Sequence, residues 1–300
     1  MTRNTALAAL TWLAEYSELR HLRPLTHGHE AAKTLSMITA GQFPSDLPPQ
    51  ARAALERARR RIREVPGHDE LAAIFRSGIR LVCPADDEWP SRLDDLGDDT
   101  PLALWVRGTA RLGEAAGRSV SIIGSRAASA YGMSVAGDIA SAVARREWTV
   151  VSGAAYGIDG AAHRGALAVG GITVAVLACG VDRAYPAGHA DLITAVGQAG
   201  VIVSEQPPGH VVSRTRLLDR NRIIAALSAG TVVVEAGRSS GSMHAARDAA
   251  ELGRPLMAVP GPVTSAASGG CHLLIRHGDA VLATCGADVI EALAGREPED

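Results

Sequence analysis

Aromatic residues are scarce in this 300-residue sequence: four Trp, four Tyr and two Phe make up 3% of it. A chain so poor in rings lacks the rows of stacking platforms on which oligonucleotide-binding folds lay successive bases. Lysine is rarer still. Lys33 is the single lysine, so nearly all positive charge is arginine. Arginine's planar fork suits bidentate contact with phosphate, although a genomic composition bias accounts for the preference equally well. The four cysteines, Cys83, Cys179, Cys271 and Cys285, stand far apart and form no Cys-x-x-Cys pair. That spacing excludes a zinc site or a disulfide framework and points to a reducing cytosol. Long apolar runs are absent too: none reaches the roughly 18 residues that span a bilayer. The N-terminus shows no basic flank, apolar core and cleavage site of a secretory signal. The expectation is a soluble cytoplasmic protein without a membrane partner. The formal net charge of -2 excludes coating nucleic acid through global charge and leaves room for a local basic patch.

Hydrophobic residues make up 47% of the sequence and charged residues 21%, enough to bury a core. Residues 1–75 read as a small helical N-terminal domain. Leu7, Leu10, Leu13 and Ala14 recur at helical spacing over 6–17, and 30–39 repeats the pattern. The prolines of 42–49 mark a loop. A helix over 51–64 carries Arg52, Arg57, Arg59, Arg60, Arg61 and Arg63; with Glu56 and Glu64 among them, a solvated face is favoured over a nucleic-acid-facing one. A short helix over 69–76 follows. Residues 76–118 read as a connector with one or two short strands, 79–83 and 102–108, packing on the next unit. Beyond it strands alternate with helices. Uncharged strands are expected at 119–123, 149–151, 173–177, 201–203, 231–235 and 256–259, with helices at 134–146, 158–169, 190–196, 220–227 and 242–252. The fold class is therefore α/β: an extended Rossmann-like, doubly wound, mostly parallel sheet over 119–295, preceded by a small helical N-terminal domain.

In such a sheet ligands bind beyond the carboxyl ends of the strands, and the informative residues stand there. Gly124-Ser125-Arg126 follows the first strand and leads into a helix. Bare backbone N–H groups, the positive end of a helix dipole, a hydroxyl and a guanidinium make an anion site. Ser152-Gly153 follows the second strand, where small residues let backbone approach a ligand. Asp159 and His163, four apart, share a helical face; a structural hydrogen bond is favoured over an acid–base pair. Glu205 ends the fourth strand and reads as a counter-ion of a nearby arginine. Arg214, Arg216, Arg220, Asn221 and Arg222 head the next helix, where positive charge opposes the dipole, so they need phosphates or acidic side chains. A structural ion pair is expected for at least one of Arg220 and Arg222. Glu235 ends the fifth strand, and Ser240-Gly241-Ser242 opens a helix as a second phosphate-cradling turn. Neither turn matches the P-loop or the dinucleotide fingerprint, which disfavours ATP hydrolysis and nicotinamide chemistry. No cluster has metal spacing, and no catalytic constellation is expected.

The order of these motifs resembles the DprA/Smf family of DNA-processing proteins, from about Gly78 to Gly286. The resemblance rests on Gly124-Ser125-Arg126 with Tyr131-Gly132; Ser152-Gly153 with Gly157-Ile158-Asp159 and Ala162-His163; Gly180, Asp182 and Tyr185-Pro186; and Ser204-Glu205. It continues through Arg220-Asn221-Arg222-Ile223-Ile224-Ala225, Glu235-Ala236 with Ser240-Gly241-Ser242, and Val259-Pro260-Gly261 with Gly270. It implies a Rossmann-like domain that binds single-stranded DNA without sequence preference, forms homodimers, and loads a RecA-type recombinase during natural transformation. No turnover and no cofactor are implied. The DNA phosphate falls on Gly124, Ser125 and Arg126, with Ser240-Gly241-Ser242 lining the same pocket. The chain departs from the pattern at Ala187, His189, Leu217-Leu218-Asp219, Ala245 and His272, and the C-terminal winged helix of many relatives is not expected. The alternatives are a nucleotide phosphoribohydrolase-like enzyme, disfavoured by the missing Pro-Gly-Gly-x-Gly-Thr-x-x-Glu motif, and a nucleotide-sensing pocket.

Overall fold

Strands as free of charge as Ser119–Ile123 can be interior only if helices cover both faces, and the computed structural model, which describes residues 3–13 and 31–294, has that arrangement. Nine strands form one sheet in the order β1-β2-β6-β5-β4-β3-β7-β8-β9. They are β1 (Arg80–Val82), β2 (Leu104–Gly108), β3 (Ser119–Ile123), β4 (Thr149–Ser152), β5 (Thr173–Leu177), β6 (Val201–Ser204), β7 (Thr231–Val233), β8 (Leu256–Ala258) and β9 (Val281–Leu282). From β6 to β9 neighbouring strands run parallel, while β1 and β2 add antiparallel pairs at one edge. The chain winds outward from β3 through β4 and β5 to β6, then returns to the other side of β3 for β7 and β8. The order therefore reverses between β3 and β7, and a crevice opens beyond their carboxyl ends.

The period-two alternation of the strands sorts their side chains between two layers. Ala175, Leu177 and Ile202 share a cluster with the N-terminal helices, here α1 (Arg3–Leu13), α2 (Ala31–Ala40), α3 (Pro49–Arg60) and α4 (His68–Arg76). Val174, Val176 and Val203 face the opposite layer, which includes Ile223 and Ala246. Val120 and Ile122 pack with Ile139, Ile158 and Val289. Trp105 of β2 is fully buried, donates its indole N–H to the Thr11 hydroxyl at 3.1 Å, and meets Trp12 edge-on at 5.2 Å. A buried indole needs such an acceptor. In α3 the basic residues Arg57, Arg59 and Arg60 fall in the last turn, where they complement the helix dipole.

Several boundaries differ from the sequence expectation. The strands of 76–118 are members of the sheet itself, because β2 pairs with β6 from Trp105↔Ser204 to Gly108↔Val201. After α5 (Leu112–Gly117), α6 spans Ala130–Ala144 rather than 134–146, since Ser129 caps it by accepting from Gly132 N. The helices α7 (Ile158–Ala168) and α8 (Ala190–Ala199) follow closely, whereas α9 spans Arg214–Leu227 and so begins well before residue 220. The chain ends in α10 (Ser242–Glu251), α11 (Gly269–His277), β9 and α12 (Gly286–Ala294). Residues 14–17 and 30 of the two expected N-terminal helices, and residue 295 at the end of the expected Rossmann-like unit, lie outside the described residues.

Candidate functional site

The crevice between β3 and β7 is a cleft of about 440 Å³. Its first wall is the turn Gly124-Ser125-Arg126. A Cβ on Gly124 would lie 2.5 Å from Ile158 Cγ1 and 2.8 Å from the Glu235 carbonyl, so only glycine lets the chain settle there. Ser125 N donates to the Glu235 carbonyl at 2.7 Å, and Ile158 N donates to the Ser125 carbonyl at 3.2 Å. The Glu235 carboxylate accepts from Ser129 N at 2.9 Å and from the Ser129 hydroxyl at 2.5 Å. Glu235 thus ties the end of β7 to the start of α6 and fixes the arginine-bearing turn between them. It is an organiser of the site and does not line the cleft.

The second wall is Ser240-Gly241-Ser242 at the start of α10, and the third is α9, which contributes Arg214, Leu217 and Asn221. Asn221 Nδ2 donates to the Gly241 carbonyl at 3.4 Å, bridging the two walls. Arg126 and Arg214 are exposed, and neither has an acidic partner among the described residues. The amides of Arg126, Ala127, Gly241 and Ser242 have no acceptor among the described residues. The Ser240 hydroxyl is buried without a hydrogen-bond partner. Buried hydroxyls are almost always satisfied, so one that faces a cleft is a ligand donor in waiting.

The floor is Arg220. Its guanidinium donates to the carbonyls of Gly153 at 2.8 Å and Val176 at 2.5 Å, leaving Nε without a partner. Burial lowers its pKa, and Asp159 opposes that shift. Asp159 lines the floor beside it; burial raises its carboxyl pKa, while Arg220 and the Ala155 amide pull it back down. Counting the lining residues, the guanidinium groups of Arg126, Arg214 and Arg220 face one carboxylate, Asp159. The cleft is built for an anion.

Gly124, Ser125, Arg126, Asp159, Arg220, Asn221, Ser240, Gly241 and Ser242 are therefore brought together as expected from the sequence. Ser152, Gly153 and Arg222 are not. Ser152 is fully buried and donates to the Ile122 carbonyl at 2.7 Å. Gly153 lies below the floor, where a Cβ would sit 2.5 Å from Arg220 Cζ, and its missing side chain admits the guanidinium. Arg222 points away from the cleft into a buried ion pair with Glu205 at 2.7 Å and also donates to the Asp99 carbonyl. The dipole argument does not apply to Arg220 and Arg222, which sit in the body of α9. His163 bonds to the Thr173 hydroxyl at 2.7 Å rather than to Asp159. Arg214, which the sequence marks as needing an anionic partner, and Leu217, which it does not mark as a site residue, also line the cleft. Ser213 was the available signal: its side chain accepts from Arg216 N at 3.2 Å and caps α9. Among the described residues no group of His, Cys, Asp and Glu is arranged to hold a metal ion, and no helix is long and apolar enough to cross a membrane.

The family model described as DNA recombination-mediator protein A matches residues 80–294. A putative DNA processing protein DprA of Mycobacterium tuberculosis is 51% identical over 247 residues, covering 77% of this chain and 63% of the relative. The chain thus spans less than two thirds of that protein's length. DNA processing protein DprA of Bacillus subtilis is 33% identical over 226 residues, 75% of each chain. Among solved structures, DNA processing protein A from Streptococcus pneumoniae superposes with a TM-score of 0.79 at 29% identity, over 97% of this chain and 98% of that one. DNA processing protein A from Helicobacter pylori, described for its unique single-stranded DNA binding mode, superposes with a TM-score of 0.65 at 28% identity, over 72% and 96%.

Proposed function

The chain belongs to the DNA recombination-mediator protein A family, and from that premise we propose that it binds single-stranded DNA without sequence preference. One strand phosphate lodges against Gly124-Ser125-Arg126, with Ser240-Gly241-Ser242 on its far side and Arg220 beneath. The observation that carries this reading is the pairing of an exposed, acid-free Arg126 with the unpartnered Ser240 hydroxyl across one cleft. The described single-strand binding of the Helicobacter pylori relative supports it. The start of α10 adds its amides and the positive end of its dipole, so the phosphate is held by fixed donors. Contacts to phosphate carry no sequence information, which accounts for tolerance of any strand. The cleft holds the strand rather than cleaving it. As a mediator the protein passes the strand to a RecA-type recombinase, acting as a homodimer in the cytoplasm during natural transformation.

Fluorescence anisotropy of a labelled oligothymidine and a mixed-sequence oligonucleotide, titrated across salt concentrations, tests the binding. Both are expected to bind with similar affinity, and log K is expected to fall by about 0.7 per decade of salt for each phosphate engaged. Absence of binding, or affinity indifferent to salt, would remove the proposal. Displacement of the strand by equimolar nucleoside monophosphate would favour a nucleotide pocket instead.

A further inference from the structure

We infer that Tyr156 is a base-stacking platform beside the phosphate cleft, an inference that rests on the single-strand reading above and adds to it a contact with the base. With so few rings in the chain, their placement is informative. Tyr156 is 49% exposed and stands on the loop between β4 and α7, at the same carboxyl edge of the sheet as the cleft. The residue before it, Ala155, lines the cleft. The residue after it, Gly157, packs on the arginine turn: with φ +75, its missing Cβ would lie 2.7 Å from the Arg126 carbonyl oxygen. Ile158 N, next along, donates to the Ser125 carbonyl at 3.2 Å. Tyr156 is therefore tethered on both sides to the turn that takes the phosphate.

Its ring is also held in place. His189 meets it at 4.8 Å with an interplanar angle of 71°. His189 is itself buried, and its Nδ1 lies 2.9 Å from the Ala154 carbonyl, which ties the imidazole back to the tyrosine's own loop. Gly188 leaves room for the phenol: a Cβ there would sit 2.5 Å from the Tyr156 oxygen. One side of the ring is packed against this support and the rest is open to solvent. A rigidly presented ring next to a phosphate site offers a π-face to whichever base adjoins the held phosphate, and every base can use it. Base–aromatic stacking carries no salt dependence of the counterion-release kind, so its signature differs from that of Arg126.

The experiment compares the wild type with Tyr156→Phe, Tyr156→Leu and Tyr156→Ala on two ligands of equal length, an oligothymidine and an abasic deoxyribose-phosphate strand. Tyr156→Phe keeps the ring and is expected to bind as the wild type does. Loss of the ring in Tyr156→Leu and Tyr156→Ala is expected to weaken oligothymidine binding about tenfold while leaving the abasic strand and the salt slope unchanged. Tyr156→Leu keeps bulk against His189, so agreement between the two ring-less variants excludes a collapsed loop as the cause. Equal weakening of both ligands, or no weakening of either, overturns the platform. Failure of the wild type to bind either ligand removes the single-strand reading and the platform with it. Binding by the wild type with no preference for the base-bearing strand removes the platform alone.

Discussion

His163 is sealed from solvent, and the hydrogen bonds around it settle its protonation. The Thr173 hydroxyl donates to the Val150 carbonyl at 2.7 Å, so it can only accept from His163 Nδ1, which must carry the ring proton. Nε2 is left bare and buried with no partner. Protonating it would place a second N–H in a site without an acceptor, and burial, with His189 and Arg220 adding to it, pushes the pKa down to about 3. The folded-state value is depressed, so the unfolded chain binds more protons as pH falls below its ordinary value of about 6.5. This contribution to stability is complete above pH 6.5 and is lost as pH drops toward 3, at about 1.4 kcal/mol per pH unit. In His163→Asn, which keeps a polar group near Nδ1, the difference in unfolding free energy between pH 7.5 and 4.5 is expected to shrink by about 2.7 kcal/mol, read by urea denaturation at both values. Residue identities told much at this scale: Arg220 and Arg222 called for anionic partners, and Glu205 was a candidate. They could not tell which arginine took Glu205, because positions two apart on a helix face nearly opposite ways and only the packing of α9 on the sheet decides which side meets Glu205.

Two glycines with positive φ separate the effect of a turn from that of the backbone alone. Gly157 (φ +75) caps α7 against the Ser125 and Arg126 carbonyls, whereas Gly170 (φ +72), just past the end of α7, faces open space. Alanine at either position is strained by its φ, at a cost of order 1–3 kcal/mol. Only Gly157→Ala also drives a methyl into the phosphate-holding turn. Both variants are expected to melt lower than the wild type, and only Gly157→Ala to lose single-strand affinity as well; comparable affinity losses in the two would contradict this division. The strands at this scale were legible in the sequence, because β3 to β6 are uncharged runs rich in β-branched residues. The start of α9 was not, because the arginines of its first turn, Arg214 and Arg216, oppose the helix dipole and the apolar run begins only past residue 220. The capping hydroxyl of Ser213 outweighs their unfavourable position. β1 and β2 were legible as short strands of the connector but not as members of the sheet, and β9, at two residues, is too short for periodicity to show. Their place comes from long-range pairing.

Across the molecule, the N-terminal helices and the sheet are joined by one hydrophobic cluster running from Leu10, Ile38 and Leu55 through Trp105 to Ile202. Composition and helical spacing marked 1–75 as a separate helical unit. They could not show that its apolar face is completed by a strand from the connector. With Trp12 and Trp105 in edge contact at that junction, tryptophan fluorescence and far-ultraviolet circular dichroism are expected to report one coincident thermal transition. Trp105→Ala, which removes a fully buried ring at the centre of the cluster, is expected to lower stability by about 3–5 kcal/mol and to do so for both signals together. Two separated transitions in the wild type would mean that the helices and the sheet fold as independent units.

The whole arrangement converges on Arg126, the exposed cation that the switch point of the sheet, the Glu235 tether and the glycine of the turn hold over the cleft. The most direct test is the affinity of the wild type and Arg126→Ala for a single-stranded oligonucleotide at two salt concentrations. The variant is expected to bind more weakly, equally for every sequence tried, with the log–log salt slope reduced by about 0.7, the value for one phosphate contact on a single strand. A variant that binds as tightly as the wild type, with the same salt slope, would contradict it.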